Sequence, residues 1–142
     1  MELIPTGKLE NVTNTPMDFR ISKVIGLDID SDFEQLKLTG GYDHCFVINK
    51  STNGIEKIAV LTDDISGRTM EVYTDSIGVQ FYAGNFIENN KVIGKEGCNY
   101  KNHSGICLET GFLPDSVNQP NFPTPILKAN EIYNTTTIYK FV

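Results

Sequence analysis

Four side chains in this sequence have the types and settings that proton transfer or polar recognition needs. They are Asp43 and His44 at the head of DHCFVI, Gln80 in GVQFYAGN, and Glu109 at the end of HSGICLET. A carboxylate desolvated in a cleft is raised from its reference pKa of about 4.3 towards the range where it acts as a general base at neutral pH. Alternation along a strand sorts the neighbours of each candidate. Ile106 and Leu108 fall on one face of HSGICLET, and Gly105, Cys107 and Glu109 on the other. In GVQFYAGN, Val79, Phe81 and Ala83 form the core face, while Gln80, Tyr82 and Gly84 form the opposite one. Two readings of Glu109 fit this pattern: a base lining a cleft, or the solvent side of a half-buried strand. Asp43 and His44 pose a similar choice between a pH-sensitive pair and loop residues that satisfy backbone amides at a strand entrance. Being adjacent, they point to opposite faces and need not touch.

Other chemistries find less support. A relay built from Ser104, His44 or His103 and Asp43 lacks the elbow motif that exposes a nucleophilic serine. GKEG at 94–97 lacks the Lys-Ser/Thr ending of a phosphate loop. Cys45, Cys98 and Cys107 form no Cys-x-x-Cys pair and accompany only two histidines, so neither a disulfide framework nor a metal site is indicated, and buried, reduced thiols are expected.

The elements that must position these residues read as all-β. IEKIAVLTD, RTMEVYTD, GVQFYAGNF, GICLET and TTTIYKFV are short, rich in β-branched and aromatic residues, and bounded by Gly, Asn, Asp or Pro. Asn53-Gly54, Ser66-Gly67 and Ile77-Gly78 punctuate them as a meander would. The one helical candidate is DIDSDFEQLKL, where Asp32 would cap and Phe33 and Leu36 would share a face. Four prolines between Pro114 and Leu127 exclude a central strand, and the apolar Phe122, Ile126 and Leu127 predict an ordered loop packed on the surface. No repeat or linker divides the 142 residues, so a single domain over 1–142 is expected.

Twelve basic against 18 acidic residues give a net charge of -6 without a basic cluster, which opposes nucleic acid and anionic lipid as partners and suits a small neutral ligand. MELIPTGKLE has no apolar leader core, and no stretch approaches membrane-spanning length, so a cytoplasmic location is expected and no membrane partner. The sequons at Asn11, Asn49, Asn102 and Asn134 then read as by-products of an Asn- and Thr-rich composition.

LIPTGK at 3–8, TPMDFR at 15–20, GGYDHCFV at 40–47, MEVYTDSIGVQFYAGNF at 70–86 and HSGICLETGFLPDSVNQPNFPTPILK at 103–128 together resemble the aldose 1-epimerase family. The resemblance runs in order along nearly the whole chain. It implies part of a galactose-mutarotase-like β-sandwich, or supersandwich, of mostly antiparallel strands with long ordered loops. It also implies cofactor-free interconversion of the α and β anomers of aldohexoses such as galactose and glucose. In that scheme a Glu removes the anomeric hydroxyl proton while a His protonates the ring oxygen. The Glu of Cys-Leu-Glu-Thr is Glu109, and Asp43 and Gln80 fall on the family's sugar contacts.

The sequence also departs from the family. The acid His belongs to a His-Pro-Tyr-Phe-Asn-Leu-like motif, preceded by an Asn-Arg pair. This chain has no His-Pro dipeptide, and His44 and His103 match other family positions. Cys45 stands where Asn is common, and Gly111-Phe112 replaces a Gln followed by His or Gly. The resemblance therefore covers the C-terminal part of a mutarotase. It implies an N-terminal half or self-association as partner; the alternative is a non-catalytic sugar-binding or structural remnant.

Overall fold

The five apolar runs form five strands, and DHCFV forms a sixth. In the computed structural model, which describes residues 4–90 and 93–142, the strands are β1 (Asp43–Val47), β2 (Glu56–Thr62), β3 (Thr69–Thr74), β4 (Gly78–Tyr82), β5 (Cys107–Gly111) and β6 (Thr137–Phe141). Leu3, which opens the LIPTGK stretch, lies outside the described residues. One sheet has the order β1-β4-β5 and the other β2-β3-β6. Short 3-10 turns at Ile25–Leu27, Ile87–Asn90 and Lys95–Gly97 and one α-helix, α1 (Glu34–Thr39), complete the regular structure, so the fold is all-β in class. Helix is scarce because Gly, Pro and Asn interrupt every candidate 3.6-residue pattern.

By internal packing the chain divides into two units: Met1–His44 with Gln80–Leu108, and Cys45–Val79 with Glu109–Val142. The first is centred on aromatic rings. Phe19 meets Tyr42 edge-on at 5.0 Å and Phe81 edge-on at 5.5 Å, and Tyr42 stacks on Phe81 at 5.1 Å. Such pairs add about 0.5–1.5 kcal/mol each beyond the area they bury. Lys23 closes one side, its Nζ 4.6 Å over the Phe19 ring and donating to Pro16 O and Asp28 Oδ2. The Tyr42 hydroxyl also donates to Pro16 O, and burial pushes its pKa up to about 12.

In the same unit α1 buries Leu36 and ends on Gly40, whose positive φ of 64° permits the left-handed cap. The capping expectation needs correction. Phe33, not Asp32, occupies the N-cap position and makes no side-chain cap bond, while Asp32 is exposed and pairs with Lys37.

In the second unit β2, β3 and β6 pair antiparallel, with the β2–β3 register shifted between Lys57 and Ala59. Alternation gives this sheet a row of Leu61, Met70 and Phe141 beside a row of Ala59, Val72 and Tyr139 on one face. Val72 is fully buried there. On the other face the Glu71 carboxylate accepts from the Tyr73 hydroxyl at 2.7 Å and Lys57 Nζ at 3.0 Å. These bonds hold the Glu71 pKa at about 2. The β2–β3 turn closes through Gly67 N–H to Asp63 O, with Gly67 at φ 70°.

Two packing expectations fail. The 114–127 stretch is free of strand, as its prolines require, but Ile126 and Leu127 remain 59% and 52% exposed instead of packing down. The segment is held by its own polar bonds, with Asp115 accepting from Asn118 Nδ2 and Gln119 Nε2. Of the three cysteines, Cys45 alone is half-buried, and burial pushes its thiol up to about 11; Cys98 and Cys107 are exposed.

Candidate functional site

Asp43 and Gln80 are brought together. Gln80 Nε2 donates to Asp43 Oδ1 at 2.7 Å, and both side chains are half-buried. β4 delivers Gln80 by its alternation: Val79, Phe81 and Ala83 are buried at 9%, 7% and 2% exposure, which turns Gln80 and Tyr82 to the other face. The pair presents an amide and a carboxylate side by side, and each keeps further donor or acceptor capacity for hydroxyl groups. Tyr82 is tied down locally, its hydroxyl accepting from Phe86 N–H at 3.1 Å.

The turn that leads into Asp43 is held by a residue that sequence reasoning did not single out. Asn85 is 3% exposed, and its Nδ2 donates to Thr39 O at 2.9 Å and Tyr42 O at 3.1 Å. Gly41, at φ 131°, passes so close that a Cβ there would sit 2.5 Å from Asn85 Oδ1. The GGYD turn is therefore closed over a buried amide. The sequence signal that could have found it is Gly40-Gly41 taken together with Gly84-Asn85.

His44 and Asp43 do not form a side-chain pair. His44 Nδ1 instead accepts from the Asp43 backbone N–H at 3.0 Å, and Nε2 is buried without a partner among the described residues. Burial lowers the His44 pKa, with the Asp43 charge opposing that shift. The other histidine, His103, is held at φ 63° with Nδ1 2.9 Å from Ala83 O, a carbonyl that makes this nitrogen the donor.

Glu109 belongs to the second unit, where it is exposed on β5. Its strand pairs with β4 and also joins a row of threonine hydroxyls: Thr110 Oγ1 lies 2.5 Å from Thr137 Oγ1, and Thr137 Oγ1 lies 3.2 Å from Thr74 Oγ1. Thr74 is fully buried and also donates to Thr136 O. Ile106 is 40% exposed and precedes β5, so it does not anchor the strand as its parity predicted. Parity assigns a face, whereas burial depends on what packs against that face.

These motifs sit in a pattern that other proteins share. The family model described as aldose 1-epimerase matches residues 1–140. The chain belongs to the aldose 1-epimerase family. It is 43% identical over 139 residues to a galactose mutarotase from Mus musculus, covering 98% of this chain and 39% of that protein. Against an aldose 1-epimerase from Escherichia coli K12 the identity is 36% over 141 residues, covering 98% and 40%. A crystal structure of a GalM/aldose epimerase homologue from C. elegans superposes with a TM-score of 0.84 at 27% identity, covering 98% of this chain and 40% of that one. The chain thus spans about two fifths of the length of these epimerase relatives.

Proposed function

We propose that this chain carries the base side of an aldose 1-epimerase site, with Glu109 as general base and Asp43 and Gln80 as hydrogen-bonding contacts for an aldohexose such as galactose or glucose. Glu109 takes the proton from the anomeric hydroxyl, and the ring oxygen receives a proton as its bond to C1 breaks. The open-chain aldehyde forms, C1–C2 rotates, and the reverse transfer closes the ring on the other face. No cofactor is required, because every step moves a proton between a side chain and an oxygen. The observation that carries the reading is the Gln80–Asp43 pair at 2.7 Å, a polar station set into the polar face of an otherwise packed strand.

The proton for the ring oxygen must come from outside these residues. A general acid and a general base each contribute about 100-fold to 10,000-fold, so a site with the base alone forgoes roughly 3–5 kcal/mol of transition-state stabilisation. Exposure of Glu109 points the same way, since a base working at neutral pH needs a cleft that excludes water. We assign both missing parts to the remaining three fifths of an epimerase domain, of which residues 1–142 are one portion. The test is the optical rotation of freshly dissolved α-D-galactose, with the acid-bearing portion of a relative added to this chain. Acceleration that Glu109→Gln abolishes supports the assignment. Saturable sugar binding without turnover supports a carbohydrate-binding remnant instead.

A further inference from the structure

The second unit contains a cavity of about 240 Å³ lined by Asn53, the Asp75–Ile77 turn, the end of β5 at Gly111 and Phe112, and residues 133–135. One wall is aromatic: the Phe112 and Tyr133 rings lie 6.1 Å apart at 31°, and they are 38% and 55% exposed. The other side is polar, with Asp75, Ser76, Asn53 and Asn134. Asp75 Oδ1 accepts from Thr135 Oγ1 at 2.6 Å and from Thr136 N–H at 2.9 Å, which fixes the 133–136 segment against the Asp75 turn. Among the described residues these bonds engage Oδ1 and leave Oδ2 as an acceptor. They also lower the Asp75 pKa, so the group is a carboxylate at neutral pH.

We propose that this cavity binds an uncharged polyol of single-pyranose size, with its apolar face against Tyr133 and Phe112 and its hydroxyls on Asp75 and Asn53. The walls select this chemistry. Rings contribute apolar contact area, amides both donate and accept, and a carboxylate accepts only, so hydroxyl groups satisfy all three together. An anion would face the Asp75 carboxylate within a chain of net charge -6. For a cation the walls offer a single carboxylate beside the positive charge of Lys50, and the rest of the polar side is neutral. The volume lies just below the range of about 300–1,000 Å³ typical of ligand pockets, which suits one ring rather than a longer chain.

The test is an amide-resolved NMR titration of the chain with methyl α-D-galactopyranoside. This glycoside has no free anomeric hydroxyl and cannot be epimerised, so binding is read without turnover, and the residues that shift distinguish this cavity from the Asp43–Gln80 pair. Saturable shifts at Gly111, Phe112 and Thr135 are expected. Affinity should fall about 10-fold or more in Tyr133→Ala and in Asn53→Ala, both exposed positions, corresponding to at least about 1.4 kcal/mol. Shifts confined to Asp43, Gln80 and Glu109, no saturable shift, or tighter binding of tetramethylammonium than of the glycoside would each overturn the proposal.

Discussion

Strands β4 and β5 share the same alternation and reach opposite outcomes. In β4 the apolar set of Val79 and Phe81 is buried, with Gln80 turned to Asp43. In β5 Leu108 is half-buried, Cys107 and Glu109 are exposed, and Ile106 just before the strand is 40% exposed. The difference lies in what covers each strand. Phe19 and Tyr42 pack on Phe81 from elsewhere in its own unit, whereas β5, already paired with β4, adds a hydroxyl contact from Thr110 to Thr137 in the second unit.

The largest effect that can break this comparison is in the β4 core. Phe81→Ala should cost about 3–5 kcal/mol of unfolding free energy, read from denaturant midpoints, because it empties the contact with two other rings. Ile106→Ala should cost about 1 kcal/mol or less, since the side chain is already partly in water. Equal losses would mean that β5 is covered as β4 is. Next in size is the polar face of β4. Gln80→Ala should destabilise by about 1–2 kcal/mol, because it strips a half-buried carboxylate of its donor. A neutral result would show that water replaces the amide and that the pair is not a built station.

The smallest expected effect is a pH dependence at the head of β1. Burial lowers His44 below the ordinary histidine value of 6.5. Between that value and its own lower pKa, the unfolded chain binds a proton that folded His44 refuses. Stability is therefore full above about pH 6.5 and declines as pH falls through that window. Urea midpoints at pH 7.5 and 5.5 should differ in the wild-type chain, and His44→Asn should remove part of the difference. An identical slope in the variant would mean that His44 titrates as if exposed.

How far the sequence reached follows the same division. The five strands were legible because β-branched and aromatic runs bounded by Gly and Asn carry their own period, and Gln80's outward face followed from Val79 and Phe81. The Asp32 cap failed because Phe33 occupies the cap position and Lys37 holds the Asp32 carboxylate. Ile126 and Leu127 were expected inside on apolarity alone, which says nothing about whether a partner surface is present. Asn85 was missed because its role exists only when two distant glycine turns meet. Glu109 was legible as a candidate base through the family resemblance, but its exposure was not, since burial depends on what packs against the strand's face.

The most direct test is polarimetry of freshly dissolved α-D-galactose in three samples: this chain, this chain with the acid-bearing portion of the Mus musculus relative, and the same mixture carrying Glu109→Gln. The account predicts buffer-like or marginal rates for the chain alone, acceleration of about 100-fold or more on mixing, and loss of that gain in the variant. A mixture in which Glu109→Gln mutarotates galactose as fast as the wild-type chain would contradict it.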